Sequence, residues 1–294
     1  MDLIERLHSK GLIKPPPHVI GATQYLTVMG SQAYAVNEDD SDLDVYGWCI
    51  PPRDMIFPHL RGEIPGFGHQ IQRFEQFQQH HIIEKDTRKE YDINVYSIIK
   101  YFQLVMDNNP NMIDSLFTHQ QCVIKSTKLS EHVRANRKIF LSKKAWHTFK
   151  GYAYAQMHKM RIKEPDPESV RYESVMKHGY DVKFAYHVVR LLNEVEQILV
   201  EQDLDLHRNN DQLKSIRRGE WTMTQIEEYF NSKEKILEQA YIESKLPHKP
   251  NEPAIKKLLL EVLEEYFGTL QGMVESSDHY KDMLRDIQKI VSKI

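Results

Sequence analysis

The sequence predicts an α+β chain, a small module of strands and helices followed by an all-α region, and two observations carry that prediction. Up to about residue 125, short β-branched and aromatic runs alternate with Gly and Pro punctuation; from about residue 140 the apolar period is helical almost throughout. At 294 residues the chain is long for one core, so two cooperating halves are expected, residues 1–139 and 140–294.

The elements follow in order. "MDLIERLHSKGLIKPPP" reads as a short amphipathic helix through Leu3, Ile4 and Leu7, stopped by Gly11 and a proline run. "QYLTVMG" is a strand entering a glycine turn, "SDLDVYGWCI" a second strand and "EYDINVYS" a third. In "SIIKYFQLVMDN" the period becomes helical with Ser97 as cap, and "NPNMIDSLF" restarts with Asn109 as cap and Pro110 in the first turn. The stretch 51–88 reads as loop-rich and receives no element. Beyond residue 140, helices are separated by "KEPDPES", "RRGEWT" and "LPHKPNEP".

Composition narrows the function classes. No apolar run is long enough to cross a bilayer, and the start lacks the pattern of an export signal. Two cysteines, Cys49 and Cys122, do not make a disulfide framework, so a cytoplasmic setting is expected. Fifteen histidines come without HExxH or CxxC spacing, which argues against a structural zinc site. A formal charge of −3 opposes broad electrostatic wrapping of nucleic acid but leaves room for a local basic groove.

The informative stretch is "VMGSQAYAVNEDDSDLDVYGWCI". Side chains alternate along a strand, so Asp42 and Asp44 share one face while Leu43 and Val45 enter the core. Like charges that close repel unless a cation lies between them, and a hard divalent ion with oxygen ligands, Mg²⁺ first, resolves the conflict. The plain alternative is an exposed acidic turn continuing Glu38, Asp39 and Asp40; the apolar alternation after Asp42 favours the strand. Gly30 and Ser31 offer close backbone approach and a hydroxyl donor to a phosphate. Asp92, in an otherwise apolar third strand, is the candidate further carboxylate of a two-metal site, against an edge-strand acid facing solvent.

Taken together, Gly-Ser, then Ser-Asp-x-Asp, then a carboxylate on a later strand resembles the DNA polymerase β superfamily of nucleotidyltransferases. More narrowly, "GSQAYAVNEDDSDLDVYG", "DINVYSIIKYFQLVMDNNPNMIDSLF", "GYAYAQ", "YDVKFAYHVVRLL" and "IRRGEW" resemble the RNA-repair-pathway (RlaP-like) family, from about residue 24 to "LPHKPN". The resemblance implies a polymerase-β-type catalytic module, a mixed sheet flanked by helices, over 1–139, with the helical domain after it. It implies that Gly30, Ser31 and Ser41 hold nucleotide phosphates, that Asp42 and Asp44 ligate two Mg²⁺ ions, with Mn²⁺ as substitute, and that Asp92 completes the metal triad and faces the nucleophile. The substrate would be a nucleoside triphosphate and the acceptor an RNA end, a protein side chain or a small molecule. One departure is Ala35, where relatives more often carry glycine.

In "YDVKFAYHVVRLLNEVEQIL", Phe184, Val188, Leu191, Leu192, Val195 and Leu199 form an apolar face, with Lys183, His187, Arg190 and Glu194 along a stripe opposite. Such a stripe is either a solvated face with an Arg190–Glu194 pair or, in the family context, a row of Lys183, His187 and Arg190 that binds the triphosphate. In "AWHTFKGYAYAQMHKMRIK", Trp146, Phe149, Ala153, Met157 and Met160 mark the core, leaving a basic and tyrosine face that reads first as wetted surface. The rival to catalysis is a nucleotide-binding regulator on the same fold, or an interaction module built on the helices.

Overall fold

The computed structural model describes residues 1–37, 42–61, 73–162 and 170–269, with 287, 290 and 291 besides. The chain opens with α1 (Leu3–Ser9), α2 (Pro17–Ala22), β1 (Thr23–Val28), the one-turn α3 (Gly30–Ala33) and β2 (Leu43–Cys49). It continues through α4 (Arg53–Ile56), β3 (Gln76–Glu84), β4 (Lys89–Ser97), α5 (Ile98–Met106), α6 (Pro110–Phe117), β5 (Val123–Ser126) and α7 (Lys128–Ala135). The remaining described elements are helices: α8 (Lys144–Ile162), α9 (Val170–His178), α10 (Val182–Glu201), α11 (Asn210–Arg217), α12 (Met223–Glu243) and α13 (Glu252–Phe267). The α+β class read from the sequence is the class observed.

The five strands form one sheet in the order β3-β4-β2-β1-β5. Three pairings are antiparallel and β2 runs parallel to β4, so the sheet is mixed. Strand β3 lies in the stretch that the sequence left as loop, and β5 was also unassigned; both are corrections. Both expected caps are present, the Ser97 side chain accepting from Lys100 N–H and Asn109 from Met112 N–H, and Thr222 caps α12 by accepting from Gln225 N–H. The separator "KEPDPES" lies outside the described residues.

Pleating gives the sheet two faces with different tasks. Leu43, Val45, Tyr91, Ile93 and Val95 pack with Leu3, Ile4 and Leu7 of α1 into a smaller core. Tyr25 and Trp48, on the opposite face, enter a larger core that includes α5, α6, α8, α10 and parts of α12 and α13. Among the described residues, no helix is long and apolar enough to cross a membrane.

Candidate active site

Strands β2 and β4 bring two of the candidate acids together. Their parallel register pairs Asp44 with Asp92 directly, so pleating directs both carboxylates to the face that carries Tyr46 and Trp48. Asp42 immediately precedes β2 and is exposed. Burial pushes the Asp44 carboxyl above its usual range, and repulsion from Asp92 and Asp42 pushes the same way; Lys183 and His80 oppose it. Those four side chains therefore act on one half-buried carboxylate.

Gly30 turns the chain out of β1 at φ +63°. The preceding Met29 N–H donates to Asp44 O at 2.6 Å, locking the turn against β2. A β-carbon on Gly30 would stand 2.2 Å from Asp44 Oδ2. The glycine is thus demanded twice, by a left-handed backbone and by the acid lying on it. Ser31 follows on the same turn, half-buried. Ser41 lies outside the described residues.

Asp92 is held from the edge strand. The β3–β4 register shifts between Gln79 and Ile82, with His81 at φ 53°. This bulge directs the His81 N–H to Asp92 Oδ1 at 2.8 Å and sets His80 Nδ1 3.2 Å from Oδ2. A side-chain chain continues outward: His80 Nε2 meets the Gln78 amide, and Gln76 Nε2 donates to Gln78 Oε1 at 3.1 Å. His80 was missed in the sequence because the strand that carries it was missed.

The residues present suit a hard cation. Two carboxylates, Asp92 and Asp42, act by charge on a third, Asp44, and oxygen donors with excess negative charge are what Mg²⁺ selects. Among the described residues no three potential ligands already stand as a metal cage, since Asp92 is turned toward His80 and the His81 amide.

Helix α10 contributes its first turn. Asp181 caps it, accepting from Lys183 N–H at 2.8 Å, and the exposed Lys183 acts on Asp44. His187 is half-buried, its ring 4.2 Å from that of Tyr186. Arg190 departs from expectation. It is 5% exposed, and its Nη1 lies 2.5 Å from both Asp114 Oδ2 and Tyr34 Oη and 3.0 Å from Glu194 Oε1. The stripe expected on a polar surface turns inward after its first turn because α8, α11 and α12 enclose α10. Burial raises the Glu194 carboxyl well above its ordinary range, with the Arg190 guanidinium pulling the other way. Among the described residues, Arg190 is tied to the site through Tyr34, the residue that ends the Gly-Ser turn.

The model of the family described as RlaP, RNA repair pathway DNA polymerase beta family, matches residues 14–284. No curated protein matches the chain. Among solved structures, a nucleotidyltransferase-like protein from Exiguobacterium sibiricum 255-15 is 10% identical, with 90% of this chain and 79% of that chain covered and a TM-score of 0.28. At that score the superposition adds nothing to the fold described above.

Proposed function

The chain belongs to the RNA repair pathway DNA polymerase beta family, RlaP, and is a nucleotidyltransferase; from that premise we propose that it transfers a nucleoside monophosphate from a triphosphate to the terminal hydroxyl of an RNA, with divalent-metal help. The observation that carries this reading is the direct pairing of Asp44 with Asp92 beside Gly30.

In the proposed reaction the acceptor oxygen bonds to the α-phosphorus, the bond from that phosphorus to the β-phosphate oxygen breaks, and pyrophosphate leaves. Asp92 takes the hydroxyl proton, its carboxylate oriented by His80 and the His81 amide. Asp42, Asp44 and Asp92 would hold Mg²⁺, which supplies charge neutralisation and alignment of the phosphates. Lys183 offsets phosphate charge from the α10 side, and the turn at Gly30 and Ser31 brings backbone N–H groups close to the phosphates. His187 stands one turn further along α10, at the margin of this region. Arg190 supports the turn through Tyr34 instead of contacting phosphate. Buried, unpaired Cys49 and Cys122 support a reducing, cytoplasmic setting.

The test is pyrophosphate release with each of the four triphosphates and Mg²⁺, in the presence of a 3′-hydroxyl oligoribonucleotide. Asp44→Asn and Asp92→Asn are expected to lose at least about 100-fold in rate while keeping their circular dichroism. Wild-type turnover in the double variant sinks the reading.

A further inference from the structure

The sheet face beside the acids continues past them without being used by the reaction as described. Register places Gln76 opposite Tyr96 and Gln78 opposite Asn94 across β3 and β4, and Asn94 opposite Tyr46 across β4 and β2. All five side chains therefore share the face of Asp44 and Asp92. Further along, Trp48 on the same face is buried under α5, with Tyr101 6.3 Å away. Between that covered end and the acids the cover stops: Tyr46 and Tyr96 are half-buried, and Gln76 and Gln78 are exposed.

Three features give this strip a chemistry. Tyr46 and Tyr96 stand edge to face at 6.4 Å, and Tyr152 of α8, 40% exposed, lies within electrostatic reach of both. Asn94 is only 6% exposed as a residue, but its side-chain amide is not one of the buried polar groups left without a partner, so what it exposes on this face is polar. An amide that opens onto this face offers both a donor and an acceptor to a ligand edge laid over it. These strand positions carry amides and phenols and no lysine or arginine, so they suit a flat, neutral group with hydrogen-bonding edges. A nucleobase is such a group.

Position decides whose base it is. Across the sheet the order is Gly30 at the end of β1, Asp44 on β2, Asp92 on β4 and His80 on β3. Triphosphate held at Gly30 and Lys183 occupies the β1–β2 side and leaves the β4–β3 side to the attacking group. Tyr96 lies four residues beyond Asp92 on β4, about 13 Å along the strand, the scale of a few nucleotides. Building on the transferase reading, we propose that Tyr46, Tyr96 and Tyr152 stack the terminal bases of a single-stranded RNA acceptor, with Asn94 and Gln78 hydrogen-bonding base edges while the 3′-hydroxyl meets Asp92.

The experiment is direct binding of an oligoribonucleotide carrying 2-aminopurine as its 3′-terminal base, read by quenching of its fluorescence on the full-length protein. Single strands quench; the same strand in a blunt duplex does not, because its terminal base is already paired. Replacing the terminal base by an abasic ribose weakens competition about tenfold or more, a comparison that needs no protein variant. Tyr96→Ala and Tyr152→Ala each weaken binding by a similar factor, and Tyr96→Phe, which keeps the ring, restores it. Equal affinity for the abasic strand, or wild-type quenching in the Tyr96→Ala/Tyr152→Ala protein, overturns the platform. Quenching without pyrophosphate release overturns the transferase reading and leaves the platform standing; release without oligonucleotide binding does the reverse.

Discussion

A methyl group at Gly30 would collide with Asp44 Oδ2 and hold a side chain at φ +63°. Gly30→Ala is expected to shift Asp44 and cut nucleotidyl transfer at least about tenfold, beyond the roughly 1–2 kcal/mol of backbone strain; stopped-assay pyrophosphate release checks it. Ala35 presents the opposite case. It adopts φ 52°, a conformation that glycine accepts at little cost, so the backbone gives a reason for a glycine at this position and none for the alanine. Ala35→Gly should stabilise the protein by about 1 kcal/mol, read as a higher urea midpoint. Arg190 is the residue for which stability and catalysis give different answers. Arg190→Met leaves Asp114 and Glu194 buried beside each other without their cation, at a cost of about 3–5 kcal/mol. Replacing all three by apolar residues of similar volume is expected to restore most of that loss. A rise in nucleotide KM at unchanged urea midpoint would instead make Arg190 a phosphate ligand.

At the scale of elements, α1 is tied to the sheet by Glu84 at the end of β3. Lys10 donates to Glu84 Oε1 at 2.8 Å, while Arg6 and Tyr91 donate to Oε2 at 3.2 and 3.0 Å. These partners, Lys10 first, pull the Glu84 carboxyl from 4.5 down to about 2. Its folded value lies below its unfolded one, so the stabilisation is complete above about pH 4.5 and fades as pH falls toward 2. Glu84→Gln should therefore lower the melting temperature at pH 7 and flatten its fall between pH 5 and 3; parallel slopes for the two proteins would contradict this. The same strand explains what the sequence hid. On β3 the inward positions before the bulge are Phe77 and Gln79, and after it Ile82 and Glu84, so the alternation changes phase at His80–His81. An edge strand with one polar face and a phase change carries no readable period, and β5 is only four residues long. Ser97 and Asn109 were legible as caps because a cap is a local event. Asp44 and Asp92 were legible as site candidates by face and strand, whereas periodicity separates the faces of α10 without saying what packs on them. Asp114, Arg190's partner, sits within the apolar run of α6 and offered no local signal.

Across the whole molecule the larger core ignores the boundary expected at residues 139 and 140. Phe140 and Leu141 are both buried at that junction, Phe140 packs edge to face on Phe102 of α5 at 5.4 Å, and Asn108 Nδ2 donates to Phe140 O at 2.8 Å. The Tyr34–Asp114–Arg190 contacts join the Gly-Ser turn, α6 and α10 through the same interior. Lys183 lies within electrostatic range of Asp44, and this shared core sets α10 against the sheet at that range. Because residues from both sides of 139–140 share this core, we expect 1–139 and 140–294 to unfold as one cooperative unit. The three tryptophans can test this: Trp48 reports the sheet, and Trp146 and Trp221 report the helices. Urea unfolding followed by fluorescence in Trp146→Phe/Trp221→Phe, where Trp48 alone remains, should coincide with the loss of helical ellipticity in the same protein, in one transition. If ellipticity melts at a distinctly different urea concentration from Trp48 fluorescence, the helices unfold separately. The electrostatic influence of Lys183 on Asp44 would then be lost with them.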